Sequence, residues 1–286
     1  MRAGSRFLVI NADDFGFAPG VNRGIVEAHE AGTLSSASML VNAPAFAEAA
    51  SLARERVPRL GVGLHLNLIA GRPLTAVPTL TDSRTGTFHS LGELARRAFT
   101  GRVRAADVRR ECDAQLAALA AAGIPATHLD SHRHAHALSG ILPAVAASAH
   151  AAGIQVLRRP LDRVSLHHPV ASAKMLMLHA AWRRALSGVS HDDLPLLASA
   201  PHFRGLALQG ATDVEARLLE QIDALPAGAT ELMLHPGYVD EILTAQDPYR
   251  LPRERELAAL KSPSVLERLA RGDVKLVGFA DLSRGA

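Results

Sequence analysis

The chain has 286 residues, 48% of them hydrophobic and 21% charged, with 31 Lys and Arg against 28 Asp and Glu for a net charge of +3. Such a balance excludes an intrinsically disordered chain, and the length suits one α/β barrel with a sizeable core. Aromatics make up only 4% and no Lys/Arg-rich run occurs, which argues against a nucleic-acid stacking surface, while the single cysteine, Cys112, excludes internal disulfides and a cysteine-rich zinc site.

The pattern along the chain is strand, then helix, repeated. Short apolar runs bounded by Gly, Pro or polar residues predict strands over 7–12, 36–42, 62–68, 126–132, 154–159, 230–235 and 274–279. Helical periodicity falls between them, over 20–31, 45–56, 105–122, 139–152, 212–225 and 263–271. Thr212 and Glu215 have the spacing of a capping box. Cys112 falls in one of these helical runs and is expected to be a small buried apolar residue. Alternating β and α elements imply a parallel sheet. Seven such strands, with one more overlooked, suit an α/β irregular (β/α) barrel, TIM-barrel-like, as a single domain over 1–286.

Two segments break the rhythm. Residues 71–104 read as a loop-like excursion rich in Gly and Pro. Within 160–210, Val170 to Leu186 is an apolar helical candidate with Met175, Met177 and Trp182 among Lys174, Arg183 and Arg184. It is either a lid over a greasy substrate or an ordinary helix packed on the barrel. No apolar stretch is long enough to span a bilayer, and Phe7 to Ile10 is too short for a signal-peptide core, so a cytoplasmic protein is expected.

Candidate chemistry clusters where predicted strands end. Asp13 and Asp14 follow the first strand and precede Phe15-Gly16. Neighbours on an extended chain point to opposite faces, so a turn at Gly16 is needed to bring both carboxylates to one cavity. One could then bind metal and the other take a proton from water; a solvated acidic turn is the ordinary alternative. In Gly61-Val-Gly-Leu-His65-Leu-Asn67, period 2 puts Gly63, His65 and Asn67 on one face.

His128, Asp130, His132, His134 and His136 share one parity in a single segment. Several imidazoles beside one carboxylate suggest a metal or a proton-transfer role, with Asp130 orienting an imidazole; a solvated His-rich loop is the alternative. His235, before Pro236-Gly237, is well placed for a general acid, and Arg158 closes the 154–158 run, where it holds a carboxylate or simply lies on the surface. Imidazoles and carboxylates at the ends of strands in a barrel point to a metal-dependent hydrolase. No nucleophile elbow, His-Glu-x-x-His, phosphate loop or dinucleotide fingerprint competes.

At Val9-Ile-Asn-Ala-Asp-Asp-Phe-Gly16, Gly63-Leu-His65-Leu-Asn67, Thr127-His-Leu-Asp-Ser-His132-Arg-His134-Ala-His136 and Leu234-His235-Pro236 the chain resembles the YdjC/ChbG-like carbohydrate deacetylases. The resemblance implies an irregular (β/α) barrel, one divalent metal ion (Mg²⁺ or Zn²⁺) and removal of acetyl groups from N-acetylated sugars. It implies Asp14, His65 and His132 as metal ligands, Asp13 as catalytic base and His235 as catalytic acid. Asp130, Arg158, His136 and Asn67 are left as candidates for binding substrate or supporting the ligands. Where the family often has a further His, this chain has Arg133, outside the ligand positions.

Within the family the chain is most similar in general character to the hopanoid-biosynthesis-associated, HpnK-like branch. That implies an N-acetylglucosaminyl hopanoid as substrate and peripheral contact at the inner face of the membrane. Soluble chito-oligosaccharides are the alternative substrate. From other classes, a metal-dependent phosphoesterase and a non-catalytic sugar-lipid binding protein stay open, as does a homo-oligomer; no nucleic-acid partner is expected.

Overall fold

A computed structural model describes residues 4–162, 169–197 and 200–283. In chain order the strands are β1 (Arg6–Phe15), β2 (Ser36–Met39), β3 (Gly61–Leu66), β4 (Leu129–Ser131), β5 (His202–Arg204), β6 (Gly228–Leu234) and β7 (Val274–Leu276). The helices are α1 (Pro19–Glu30), α2 (Phe46–Glu55), α3 (Leu91–Phe99), α4 (Ala105–Ala121), α5 (Leu142–Ala151), α6 (Pro169–Leu186), α7 (Val214–Asp223), α8 (Glu241–Gln246), α9 (Leu251–Leu260), α10 (Pro263–Ala270) and α11 (Phe279–Ser283).

The strands form one parallel sheet in the order β4-β3-β2-β1-β6-β5, with β7 also paired to β1. Along one side of β1, Arg6–Leu8 pair with β7 and Asn11–Phe15 pair with β2. Beyond β4 the sheet continues only as a single parallel bridge from Leu129 to Leu157. There the Leu157 N–H turns away to donate to the Leu196 carbonyl at 2.9 Å. The result is a curled, incompletely closed parallel barrel of the expected α/β type.

Side-chain parity separates the two faces of β1. Leu8, Ile10 and Ala12 belong to the large core between sheet and helices. On the opposite face, Val9 packs with Val156, Ala200, Ala229 and Phe279. This apolar plug fills the barrel floor, and Asn11 and Asp13 follow it upward on the same face. Asp13 and Asp130 thus lie toward the C-terminal ends of the strands, the usual position of barrel active sites, while Glu231, paired beside Val9 in the middle of β6, reaches up from the floor. Gly63 makes the interior fit: a Cβ there would stand 2.4 Å from His128 Nδ1 and 2.5 Å from the His128 carbonyl oxygen.

Several sequence expectations need correction. The 154–159 run provides one bridge instead of a strand, while β5, α3, α8 and α9 had no clear apolar period. The predicted capping box does not form, since α7 begins at Val214 and the Asp213 side chain instead accepts from Arg217 Nε at 2.6 Å. The 71–104 excursion contains α3 and an antiparallel bridge between Thr81 and Phe88.

The helix expected from Val170 to Leu186 is present as α6 and packs on α5 and on the turn 132–137. Met175, Trp182 and Ala185 are buried, while Leu176 and Met177 are exposed. Part of the anticipated 160–210 insert, residues 163–168 and 198–199, lies outside the described residues, as do the side chains of 169–174, Lys174 among them. Among the described residues, no helix is long and apolar enough to cross a membrane.

Candidate metal centre and active site

The paired aspartates reach one cavity through a break in β1 itself. The β1–β2 register shifts between Ala12 and Phe15, and Asp14 has φ 71°, in the left-handed region. A bulge of this kind re-aims a side chain next to a site, at a strain cost of about 1–3 kcal/mol. Two residues on, Gly16 is also left-handed at φ 92°, so the turn expected there forms as well. The Phe17 N–H returns to the Asp14 carbonyl at 3.0 Å and closes it.

The histidine segment changes course just as sharply. β4 ends at Ser131, and His132–Ala137 form a 3-10 turn in which Arg133 and His134 have φ 51° and 57°. The shared parity of the five predicted residues consequently ends with the strand. Asp130 stays within the barrel and His132 swings over its rim. His128 is buried against Phe279, with ring centroids 4.0 Å apart. Both ring nitrogens of His136 are engaged, Nδ1 with Ser131 Oγ at 2.6 Å and Nε2 with the Arg158 carbonyl at 3.0 Å.

Asp14, His65 and His132 are buried and offer ligand atoms that all lie within 4.8 Å of one another. His65 Nε2 stands 3.3 Å, and His132 Nδ1 2.9 Å, from Asp14 Oδ1. Two of the three, His65 and Asp14, are oriented from behind. His65 Nδ1 donates to Asp130 Oδ1 at 2.7 Å, which leaves Nε2 to face the cluster. Arg253 Nη2 donates to Asp14 Oδ2 at 2.6 Å and also to Asp247 at 2.7 Å, which leaves Oδ1 for a cation.

Two imidazoles and a carboxylate, with His65 and Asp14 backed by hydrogen bonds to their far atoms, fit a divalent metal. The charges agree with this. Burial alone would lower the His65 pKa, but the Asp130 and Asp13 carboxylates outweigh it and raise it to about 10. Burial alone would raise that of Asp14, but His132 and Arg253 hold it well below the ordinary carboxylate value.

Asp13 lies beside the cluster, its Oδ2 4.0 Å from His65 Nε2 and 4.0 Å from His235 Nε2. Arg158 grips it in a fork, Nη1 to Oδ2 at 2.8 Å and Nη2 to Oδ1 at 2.6 Å. The same guanidinium reaches Asp130 at 2.6 Å and Glu231 at 2.7 Å. Arg158 is 1% exposed, which rules out the surface alternative. Glu231 was missed, although a lone carboxylate inside the apolar run Ala229–Leu234 was a usable signal. Burial, with one guanidinium shared among three carboxylates, pushes its pKa up to about 7.

A cavity of about 430 Å³ opens above these groups, lined by Asp13, Asp14, His132, His235, Tyr249 and Arg253 among others. Arg253, Tyr249 and Asp247 gave no sequence signal, because the charge-rich stretch around α9 reads as a solvated helix face. A second cavity of about 370 Å³ lies on another side of His132, lined by Phe17, Asn42, Pro44 and Asn67. Asn67 is turned inward on its own loop, accepting from the Ile69 and Ala70 N–H groups and donating to the Ala70 carbonyl. It borders that second cavity and does not line the first.

The family model described as YdjC-like protein matches residues 7–271 of the chain. The chain belongs to the YdjC-like family. It is 33% identical to a carbohydrate deacetylase of Geobacillus stearothermophilus over 277 residues, covering 96% of this chain and 98% of that one. Its identity to a chitooligosaccharide deacetylase of Yersinia pestis (strain Pestoides F) is also 33%, over 285 residues, 96% of this chain and 99% of that one. Among solved structures, it superimposes with a TM-score of 0.76 on a protein of Enterococcus faecalis V583 provisionally named for cellobiose-phosphate cleavage. The two are 26% identical, with 98% of this chain and 99% of the other covered.

Proposed function

We propose that the protein is a metal-dependent carbohydrate N-deacetylase that hydrolyses the acetamide of an N-acetylglucosamine unit to a free amine and acetate. One observation carries the reading: Asp13 and His235 face each other at 4.0 Å at the edge of the Asp14/His65/His132 cluster, within one cavity. The names of relatives matching nearly the whole chain agree with it.

In this reading Asp14, His65 and His132 hold one divalent ion. When bound there, such an ion acidifies a water molecule and polarises a carbonyl oxygen. The two-imidazole, one-carboxylate donor set suits Zn²⁺ better than the oxygen-preferring Mg²⁺. Asp13 takes the proton of the attacking water. Arg158 aims Asp13 by holding both its oxygens from behind. His235 gives a proton to the departing amine nitrogen from the other side. No side chain is acylated. A phosphoesterase fits less well, since the cavity arginines Arg133 and Arg253 both lean on Asp247, at 3.8 Å and 2.7 Å, instead of forming a phosphate clamp.

For the substrate, the second cavity beside His132 supports a chito-oligosaccharide, because it leaves room for a sugar ring next to the one being deacetylated. A separate observation supports the N-acetylglucosaminyl hopanoid. Leu176 and Met177 on α6 are 61% and 75% exposed, and Phe99 on α3, 70% exposed, lies under Arg184 of α6. Apolar side chains beside arginines suit contact with a membrane face.

The test is mass spectrometry of both substrates after incubation with metal-loaded protein. Loss of one acetyl from N-acetylchitobiose alone selects the soluble substrate. Loss from the hopanoid alone selects the lipid. No loss from either, with metal confirmed in the protein, refutes the deacetylase reading.

A further inference from the structure

Glu256, on α9, is 1% exposed and is not used by the chemistry above. Its Oε2 accepts the main-chain N–H of His235 and also stands 3.9 Å from His235 Nδ1. That Nδ1 is buried and makes no hydrogen bond in the protein. The other carboxylate oxygen, Oε1, accepts the Tyr249 hydroxyl proton. The Tyr249 oxygen in turn accepts from the Gly210 N–H at 2.9 Å, and its ring meets the His235 ring edge-on at 5.4 Å. The titratable and charged groups around His235 are thus Asp13 from β1, Tyr249 from the loop before α9, and Glu256 on α9. Arg253, also on α9, lies beneath the Tyr249 ring at 5.7 Å.

Two features separate this arrangement from simple structural filling. First, a neutral amide could accept the His235 N–H through its oxygen and donate its NH₂ to the Tyr249 oxygen, whereas a buried carboxylate is costly to desolvate. Second, the ring nitrogen facing the carboxylate is the one pointing away from the cavity. At 3.9 Å the two atoms are adjacent without being hydrogen-bonded. An imidazole that must deliver a proton from Nε2 benefits from an acceptor at Nδ1, which fixes the ring orientation and stabilises the imidazolium before transfer.

We propose that Glu256 is a positioning residue for His235, held in place by Tyr249, and that it sets the pH range over which His235 can act as proton donor. The inference rests on the reading of His235 as the general acid. Glu256→Gln preserves the shape and the acceptor for the main-chain N–H while removing the charge. Its kcat on N-acetylchitobiose is expected to fall about 10- to 100-fold, with KM within about twofold. The decisive readout is the alkaline limb of the kcat–pH profile. An imidazolium without its carboxylate loses its proton at lower pH, so this limb should move down by about one unit. Tyr249→Phe should move it in the same direction by less, and serves if Glu256→Gln does not fold.

The same shift should appear in an NMR titration of the His235 ring in metal-loaded protein, which does not depend on turnover. A Glu256→Gln protein with the wild-type alkaline limb and the wild-type His235 titration overturns the inference, whether or not kcat falls. If wild-type protein turns over no acetylated sugar, the deacetylase reading fails separately. The NMR titration would then still decide whether Glu256 governs His235.

Discussion

Arg158 holds Asp13 through two parallel hydrogen bonds, at 2.8 Å and 2.6 Å, while the same guanidinium touches Asp130 and Glu231. One buried cation therefore organises three buried carboxylates from three strands or strand ends. Its own pKa stands well above the ordinary value, because Asp13, Asp130 and Glu231 outweigh the penalty of burial. Replacing it by Met would leave three carboxylates facing one another. The expected cost is about 3–5 kcal/mol of stability, read by urea denaturation at pH 8. A loss below 1 kcal/mol would show that the carboxylates find other partners.

If Asp13 and His235 move the two protons, Asp13→Asn and His235→Asn should each lower kcat by about 10²–10⁴. Metal content should stay at the wild-type level, because the ligands are Asp14, His65 and His132. Near-full turnover in either variant would remove that residue from its role.

The cation cage makes a complementary prediction. Asp14→Asn, His65→Ala and His132→Ala should each weaken metal binding by at least about tenfold, measured by elemental analysis after dialysis against a competing chelator. Asp130→Asn should give a smaller loss, since it supports the ion indirectly, through His65 Nδ1. Equal metal retention in all four variants would place the ion elsewhere.

Glu231 gives a stability prediction with a definite sign. Its pKa is raised from an ordinary 4.5 to about 7 in the folded protein, so the folded state holds this proton more tightly than the unfolded chain. The contribution is complete below about pH 4.5 and is lost as pH rises through about 7. Denaturation free energies measured from pH 4.5 to 8 should decline more steeply in wild type than in Glu231→Gln. Parallel curves would mean that Glu231 is ionised throughout.

Gly63 tests the packing beneath the site. A Cβ there meets backbone and ring atoms of His128 at about 2.5 Å, so neither flexible side chains nor rotamers can relieve it. Gly63→Ala should cost about 1–3 kcal/mol and lower the melting temperature; an unchanged melting temperature would show that β3 and β4 can separate freely.

Much of the barrel was legible because its strands are short apolar runs. β1, β3 and β6 were each located to within a few residues, and α1, α2, α4 and α5 fell where helical periodicity put them. The failures have separate physical causes. β5 is three residues long and carries too little period to announce itself, while the 154–159 run has the apolar character of a strand but bridges only at Leu157. α9 spreads charge around its surface because Arg253 and Glu256 face the site while their neighbours face water. On paper the two kinds of charge look alike.

The sequence alone determined which side chains were available at the ends of the strands: Asp13, Asp14, His65, His132 and His235. It also determined the interior parity that sends Val9, Asn11 and Asp13 to one face. Only the tertiary structure decided how these groups meet. The left-handed turn at Asp14 brings two adjacent carboxylates to one cavity, against the alternation of an extended strand. Arg158 then meets Asp13 and Glu231 across 145 and 73 residues, Arg253 meets Asp14 across 239, and Glu256 meets His235 across 21. Charge pairing over such distances depends on which strands lie side by side and on how completely water is excluded between them, and neither quantity is written in local sequence.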